Sequence, residues 1–340
     1  MWRDPHTLQI GTDPTTGVLV SGLELPTATW LTNLDGSRSE AEILTDAGAA
    51  GLDLAAAVRI MSGLRRAGVL LTGPIGAESL IEAGPLLPEL VALTGAEPAP
   101  GQGSQTLADR AARHVVIDGA NRIGVPLAAI LAASGVGRLS FLDAESVRRC
   151  DAAVGGLSPD DEGQPRTMAA QRAIRRVSPL AGTRAELAAA APDLVILCQP
   201  WTVHDPLHTD GPVQRSTHLA VAVREGTVVI GPLVVPGQTS CLSCAERHRT
   251  DRDPRWPAVA AQLVATPNRA MHEPTSVLGT LAAALAAGQV LDHLDGMKVP
   301  EIIDATLELR PPDWQLHRRR WPPHVDCGCL RSAVDPARVG

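Results

Sequence analysis

The chain has 340 residues, enough for two or three domains and a sizeable hydrophobic core. Hydrophobic residues make up 44% of it and charged residues 20%, which is ordinary for a soluble globular protein. The net charge of -7 argues against a nucleic-acid partner, because such partners select a basic surface. Six cysteines without a secretory leader predict a cytoplasmic protein whose thiols serve metal binding or catalysis. The longest apolar helical run, near residues 277–287, is too short to cross a bilayer, so we expect no membrane association.

Residues 1–73 show the pattern of a small α+β domain. TLQIGT and GVLVSG are strand candidates on either side of the turn-forming DPTTG, which predicts a β-hairpin. Three helix candidates follow: LPTATWLTNLDG, SRSEAEILTDAG, and a segment that begins after Asp53 and ends at Gly68. VLLTG then has the composition of a closing strand. This order predicts a winged-helix domain, and the alternative is a helical cap on the next domain.

Residues 74–110 form a linker with one amphipathic helix candidate, ESLIEAGPLLPELVAL, followed by EPAPGQGSQ. Strand and helix candidates alternate in residues 111–340: HVVIDG, NRIGVPLAAILAASG, GRLSFLD and PDLVILCQP. This alternation predicts an α/β domain with a Rossmann-like, doubly wound parallel sheet.

The first turn of this domain resembles a nucleotide-binding fingerprint. Gly119 and Gly124 flank the start of the first helix, where a backbone of glycines lets a phosphate approach. Asp143 ends the next strand, 24 residues after Gly119, where a carboxylate would accept ribose hydroxyls. Asn121 and Arg122, however, stand where close approach to a phosphate favours glycine. Arg122 could instead supply charge to an anion, so ATP binding stays open.

The cysteine spacing predicts a metal site. Four cysteines form one Cys-x-x-Cys and one Cys-x-Cys pair: Cys241, Cys244, Cys327 and Cys329. Four thiolates suit a tetrahedral structural zinc and leave no open position for a substrate. A redox couple is the alternative, but a thioredoxin-like pair has no need of a second pair. His248 and His324 are either substitute ligands or surface residues beside the site.

Several stretches resemble the ThiF/MoeB fold of ubiquitin-activating-type enzymes over about residues 110–330: GANRIGVPLAAILAASGVGRLSFLDAESV, the CLSC pair and the late Cys-x-Cys. More narrowly, GGLSPDDEGQPR, CLSCAERHRTDRDPRWPAVAAQL and HVDCGC are similar to ThiF-like cyclodehydratase partner proteins of thiazole/oxazole-modified (RiPP) peptide biosynthesis. The resemblance implies that the N-terminal domain, similar to PqqD, binds the leader peptide of a precursor. It leaves homodimer formation open.

The sequence departs from the adenylating members of this group. Those members carry a Gly-x-Gly-Gly-x-Gly loop, an Arg-Gln after the second strand, and an Asp that helps bind the magnesium of ATP. Here Asn121 and Arg122 interrupt the loop, and Pro200 falls at the position of the Asp. A proline cannot ligate magnesium. Three arginines are either anion ligands or solvated surface residues: Arg148, Arg149 and Arg166.

A winged helix with an open strand edge can bind an extended peptide as an added strand. We expect the groove between GVLVSG and the helix after Asp53, near six residues: Val18, Val20, Val58, Met61, Leu64 and Arg65.

These inferences predict a non-adenylating scaffold that binds a leader peptide, carries structural zinc, and presents its substrate to a YcaO-type cyclodehydratase. That partner would use ATP to activate a backbone amide. One alternative is an ATP-dependent adenylyltransferase that activates the C-terminus of a small protein or sulfur carrier. Another is a dinucleotide-binding oxidoreductase.

Overall fold

The structure is a computed structural model that describes residues 1–14, 17–35, 38–67, 69–70, 84–95, 102–179, 181–183, 191–199, 215–265 and 273–333. The chain separates into two compact units, Met1–Ala108 and Asp109–Gly340. Each unit has a hydrophobic core of its own. The predicted domain boundary at residue 73 lies outside the described residues.

The first unit begins with a three-stranded antiparallel sheet, β1 (Trp2–Asp4), β2 (Thr7–Ile10) and β3 (Val18–Val20), paired in that order. The predicted hairpin is confirmed: β2 and β3 pair with Leu8 opposite Val20 and Ile10 opposite Val18. The sequence analysis did not predict β1, because its residues are all exposed and give no apolar alternation to detect. The sheet therefore ends in β3, which pairs only with β2 among the described residues.

Helices follow the sheet: α1 (Leu25–Thr32), α2 (Glu40–Ala49), α3 (Leu54–Arg66) and α4 (Leu87–Gly95), with a 3-10 turn at Gly84–Leu86. The next helix, α5 (Gln102–Ala112), contains the boundary between the two units. Asp53 caps α3 as predicted, since its carboxylate accepts the backbone N–H groups of Ala55 and Ala56. Val69 and Leu70 belong to no strand, and the rest of the predicted closing strand lies outside the described residues. The inner faces of the sheet and of α1, α2 and α3 form one core: Leu8, Leu23, Ala28, Trp30, Leu31, Ala47, Ala57, Met61 and Leu64.

The second unit is built on a seven-stranded sheet in the order β10-β9-β8-β7-β6-β4-β5. Its strands are β4 (His114–Asp118), β5 (Arg138–Leu142), β6 (Leu194–Leu197), β7 (His218–Arg224), β8 (Thr227–Val234), β9 (Ala305–Arg310) and β10 (Gln315–Arg320). Its helices are α6 (Gly124–Ala133), α7 (Arg166–Val177), α8 (Leu242–Arg252), α9 (Trp256–Ala265) and α10 (Ser276–Asp295). Short 3-10 segments lie at Arg149–Asp151, Pro159–Asp161 and Gly328–Ala333.

The sheet is mixed, which corrects the prediction of a doubly wound parallel sheet. Strands β5, β4, β6 and β7 are parallel, as the Rossmann-like half requires. Strands β8, β9 and β10 are antiparallel to their neighbours. Glu225 and Gly226 join β7 to β8 with φ angles of 49° and 76°, as a two-residue hairpin turn of type I′ demands. The Glu-Gly dipeptide between two apolar runs was the sequence signal for this reversal.

Helix α10 is longer than the sequence analysis expected. It has 20 residues and is, by length and composition, long and apolar enough to cross a membrane. Its Leu278, Ala282, Ala286 and Val290 are buried in the core of the second unit. This burial is typical of the central helix of a folded core.

Candidate functional site

Two glycines shape the loop between β4 and α6. Gly119 has a φ of +112°, a conformation that favours glycine. A Cβ on Gly124 would lie 2.0 Å from the carbonyl oxygen of Gly119, so no larger residue fits there. Close packing of the helix against its strand is therefore enough to explain both glycines, with or without a bound phosphate.

The side chain of Asn121 occupies the N-terminus of α6. Its Oδ1 accepts the backbone N–H groups of Ile123 and Gly124, both at 3.0 Å. Its Nδ2 donates to the carbonyl oxygen of Cys198 at 2.8 Å, and the residue is buried. The amides that would face a phosphate at this helix end are already satisfied by the chain itself.

Arg122 is held by the chain as well. Its Nε donates to the carbonyl oxygen of Pro274 at 2.9 Å, and one terminal nitrogen donates to the carbonyl oxygens of Cys150 and Ala152. The other terminal nitrogen donates to the Oγ of Ser276 at 2.9 Å. Arg122 thus ties the loop to the start of α10 and to the segment around Cys150.

Asp143 is likewise engaged in internal hydrogen bonds. Its carboxylate accepts the backbone N–H groups of Ala120 and Glu145, each at 2.9 Å. Its side chain is 2% exposed, and a terminal nitrogen of Arg166 lies 3.6 Å away. The carboxylate that the fingerprint assigns to a ribose therefore braces the loop.

Arg166 lies at the centre of a buried ion network. It contacts Asp151 at 2.7 Å and Glu145 at 2.9 Å, and its side chain is 4% exposed. Arg148 contacts the same Asp151 at 2.7 Å and Glu273 at 2.6 Å. Three carboxylates of this network were not predicted: Glu145, Asp151 and Glu273. Asp151 was detectable from its position three residues after Arg148, whereas Glu273 had no local signal. Arg149, in contrast, is exposed and 3.9 Å from Glu162.

The network shifts two carboxyl groups in opposite directions. Burial by itself raises the pKa of Asp151, but hydrogen bonds from Arg148 and Arg166 outweigh it, and the pKa lies below its ordinary value. Burial raises the pKa of Glu273, the nearby Asp151 adds to the rise, and Arg148 opposes it only in part. The ionised form of Glu273 is therefore disfavoured in the folded protein relative to its protonated form.

We expect Glu273→Gln to raise the Tm at pH 7 and to leave it unchanged near pH 4. A raised folded-state pKa gives stability that is present below the unfolded pKa, about 4.3, and is lost as the pH rises through the folded pKa. Glutamine removes the charge and keeps the oxygen that accepts from Arg148. Thermal melts at both pH values measure the effect, with Glu162→Gln, an exposed carboxylate, as the control. A lower Tm at pH 7 would show that the ion pair with Arg148 outweighs burial.

The four predicted cysteines lie together. The Sγ of Cys241 is 3.8 Å from that of Cys244 and 3.6 Å from that of Cys327, and the Sγ atoms of Cys244 and Cys329 are 3.5 Å apart. All four sulfurs lie within 4.8 Å of one another. Tetrahedral zinc with Zn–S bonds of about 2.3 Å separates its sulfurs by about 3.8 Å. The cluster could therefore bind a zinc ion.

The start of α8 positions this cluster. Cys241 is the N-cap residue of the helix and Cys244 lies in its first turn. A hydrogen bond from Cys241, together with the backbone N–H of His324, holds the pKa of Cys244 below its usual range, whereas burial raises that of Cys329.

The two histidines named as substitute ligands lie beside the sulfurs. His324 Nε2 is 2.9 Å from Asp251 Oδ2, and its Nδ1 accepts the backbone N–H of Asp326. His248 Nε2 donates to the carbonyl oxygen of Pro322 at 2.9 Å. His248, Asp251 and His324 form a separate group, and Asp251 was detectable from its place one helical turn after His248. These bonds fix the segment that carries Cys327 against α8.

The six predicted groove residues divide into two classes. Met61 and Leu64 are 3% and 5% exposed and belong to the core of the first unit. Val58 is 44% exposed, and Arg65 is exposed and 3.0 Å from Glu40. Val18 and Val20 are half-buried on the edge strand β3. The residues accessible to a peptide are therefore Val58 and Arg65 on α3 and parts of β3.

A cavity in the first unit lies between α1 and α2. Its volume is about 430 Å³, and its lining includes Leu25, Trp30 and Ile43, with Arg38 and Asp46 among its polar residues. Leu25 is 78% exposed. The sequence analysis did not anticipate this cavity.

No protein-family model matches the chain, and no curated protein matches it. Solved structures do. E. coli MccB with ATP has 15% sequence identity and a TM-score of 0.68, covering 94% of each chain. The microcin C7 biosynthetic enzyme MccB in complex with N-formylated MccA has 14% identity and a TM-score of 0.67, covering 96% of this chain and 98% of that one. PaaA has 16% identity and a TM-score of 0.68, covering 95% of this chain and 98% of that one.

These likenesses extend over both units. Pro200, where the sequence analysis places the metal-binding Asp of adenylating enzymes, lies outside the described residues. At such low identities the comparisons concern the fold, and on that point they agree with the sequence analysis. The chain has the fold of MccB and PaaA, consistent with the expected resemblance to ThiF/MoeB-like proteins.

Proposed function

We propose that the chain is a non-adenylating ThiF-like scaffold that binds a precursor leader peptide and presents it to a YcaO-type cyclodehydratase. The first unit, with the winged-helix and PqqD-like character inferred from its sequence, is the peptide-binding domain. The four cysteines hold a structural zinc. The single observation that carries the scaffold role is the internally bonded nucleotide loop.

Three side chains support the loss of adenylation. Asn121 caps the two amides of α6 that a phosphate would use. Arg122 donates to three carbonyl oxygens and a hydroxyl of its own chain. Asp143 braces the loop with a side chain that is 2% exposed. Phosphate and ribose would have to break these bonds, and Pro200 offers magnesium no ligand.

The first unit supports the peptide-binding role. Among the described residues β3 is the last strand of its sheet, so it offers a main-chain edge to an added strand. The structure of MccB in complex with N-formylated MccA gives a precedent within the same fold, because its structural alignment covers 96% of this chain. An extended peptide added to β3 would place alternate side chains against Val58 and Arg65.

The YcaO-type partner is tested by reconstitution. A YcaO-type protein, a precursor peptide that is its substrate, and ATP are combined with and without this chain, and loss of water from the precursor is followed by mass spectrometry. We expect cyclised product only in the presence of the chain. Equal product without it would contradict the presenting role.

We expect no ATP-pyrophosphate exchange with any acceptor, and no tight binding in titration calorimetry with ATP and Mg²⁺. There are two physical reasons. The amides of the loop between β4 and α6 are already bonded to Asn121, and the sequence has Pro200 where adenylating relatives have the magnesium-binding Asp. Asn121→Gly frees the amides of Ile123 and Gly124, so ATP binding should be stronger in this variant than in the wild type.

Robust exchange by the wild type would favour the alternative, an adenylyltransferase that activates the C-terminus of a small protein or sulfur carrier. The likeness to E. coli MccB with ATP, over 94% of each chain, supports that alternative. Loss of the exchange in Arg122→Ala, with an unchanged circular dichroism spectrum, would assign the activity to this loop.

A further inference from the structure

Strand β10 is an edge of the large sheet. Within the described part of the chain it pairs with β9 alone. All six of its residues, QLHRRR from Gln315 to Arg320, are exposed. An edge strand of this length presents main-chain N–H and C=O groups to which another strand can pair.

Three arginine side chains lie around the ring of a buried tryptophan beside this edge. Trp321 is 1% exposed, and its Nε1–H donates to the Oγ1 of Thr306 at 3.0 Å. Three guanidinium groups lie 4.8, 5.1 and 5.8 Å from the centroid of its ring: those of Arg249, Arg252 and Arg319. Cations over an indole face are attracted by its quadrupole, but they repel one another.

As far as the structure describes the chain, two of the three guanidinium groups are paired with a carboxylate, and the third is not. Arg249 pairs with Glu246, and Arg319 is 3.3 Å from Glu308. Arg252 is exposed, and no carboxylate lies within ion-pair distance of it among the described residues. This local positive charge contrasts with the net charge of -7 of the whole chain. Strand β10 together with Arg252 and Trp321 is called the basic edge below.

We propose that the basic edge binds an extended acidic segment of a protein partner, which pairs with β10 as an eighth strand. Main-chain hydrogen bonds to β10 would hold the segment, and carboxylates at alternate positions would meet Arg319 and Arg252. This site belongs to the second unit, whereas the proposed leader-peptide groove belongs to the first. Each proposal can therefore be tested without reference to the other.

A second copy of this chain is a poor occupant of the edge. β10 contains three arginines, residues 318–320, and no carboxylate, so a second β10 offers these arginines no negative charge in either strand direction. Nucleic acid is also less favoured, because its phosphates cannot satisfy the strand's N–H and C=O groups in register. An acidic strand can pair its carboxylates with the arginines and its main chain with the N–H and C=O groups of β10.

The test uses the full-length protein and a fluorescein-labelled peptide in which Glu and Val alternate. Fluorescence polarisation at low and high salt measures binding, which we expect to weaken as salt rises. Arg252→Glu with Arg319→Glu should weaken binding about tenfold or more. The matched control reverses two exposed arginines of the first unit, Arg3→Glu with Arg66→Glu, and should bind as the wild type does.

Three outcomes would overturn the proposal. One is equal binding by wild type and double variant, and another is full binding of a peptide N-methylated at every residue, which keeps the charge but has no main-chain N–H to donate to β10. The third is tighter binding of a single-stranded oligonucleotide of equal charge. If the double variant fails to fold, Arg252→Gln with Arg319→Gln removes both charges with shorter side chains and should also weaken binding.

Discussion

Cys327→Ser will reduce the zinc in the purified protein from about one ion per chain to nearly none, and the Tm will fall by about 10 °C or more. The four sulfurs already stand at the separations that tetrahedral zinc requires. Structural zinc contributes about 10 kcal/mol or more to folding in small zinc domains, as much as the whole stability of many domains. Metal analysis by mass spectrometry and thermal melts measure the two effects.

The matched control for this variant is Cys150→Ser. Cys150 is exposed and lies outside the cluster, so both zinc content and Tm should stay at the wild-type values. A wild-type preparation that contains no zinc and still melts cooperatively at the same temperature as Cys327→Ser would show that the four sulfurs have no structural metal.

The cysteine cluster was predictable because its signal is chemical and local. Each pair is recognisable from its spacing, and only one further step, that the two pairs meet, depended on the fold. The structure brings Cys244 and Cys329 to 3.5 Å across 85 residues. The zinc itself remains a prediction.

The nucleotide loop was only half predictable. Gly119, Gly124 and Asp143 were recognisable from their places in a strand-turn-helix-strand pattern, and the structure has them at those places. The partners of Arg122 were not recognisable in the sequence, because the carbonyl of Pro274 is 152 residues away. Whether an arginine is available to a ligand or tied to its own chain depends on such distant contacts.

The helix α3 shows a similar limit. By helical spacing Val58, Met61 and Leu64 share one broad face of α3, but that face is divided between core and surface. Met61 and Leu64 fill the core, whereas Val58 lies at its exposed border. Periodicity locates an apolar face but does not tell which part of it the sheet will cover.

Val58→Glu should weaken the binding of a leader peptide at least tenfold, and it should change the Tm little. Val58 is 44% exposed, so a glutamate there can reach water without opening the core. In a complex it would place an unpaired charge against the apolar side chains of a peptide added to β3. Fluorescence polarisation with a labelled leader peptide that the wild-type protein binds measures the loss.

The structure supplies controls that separate this groove from other surfaces of the first unit. Val91→Glu, on α4, alters a valine that is 41% exposed and should leave binding unchanged. Arg65→Glu should weaken binding if the leader is acidic, and loss of its exposed pair with Glu40 costs at most about 1 kcal/mol. Leu25→Glu probes the cavity between α1 and α2. If Leu25→Glu abolishes binding and Val58→Glu does not, the peptide occupies that cavity and the groove beside β3 is the wrong site.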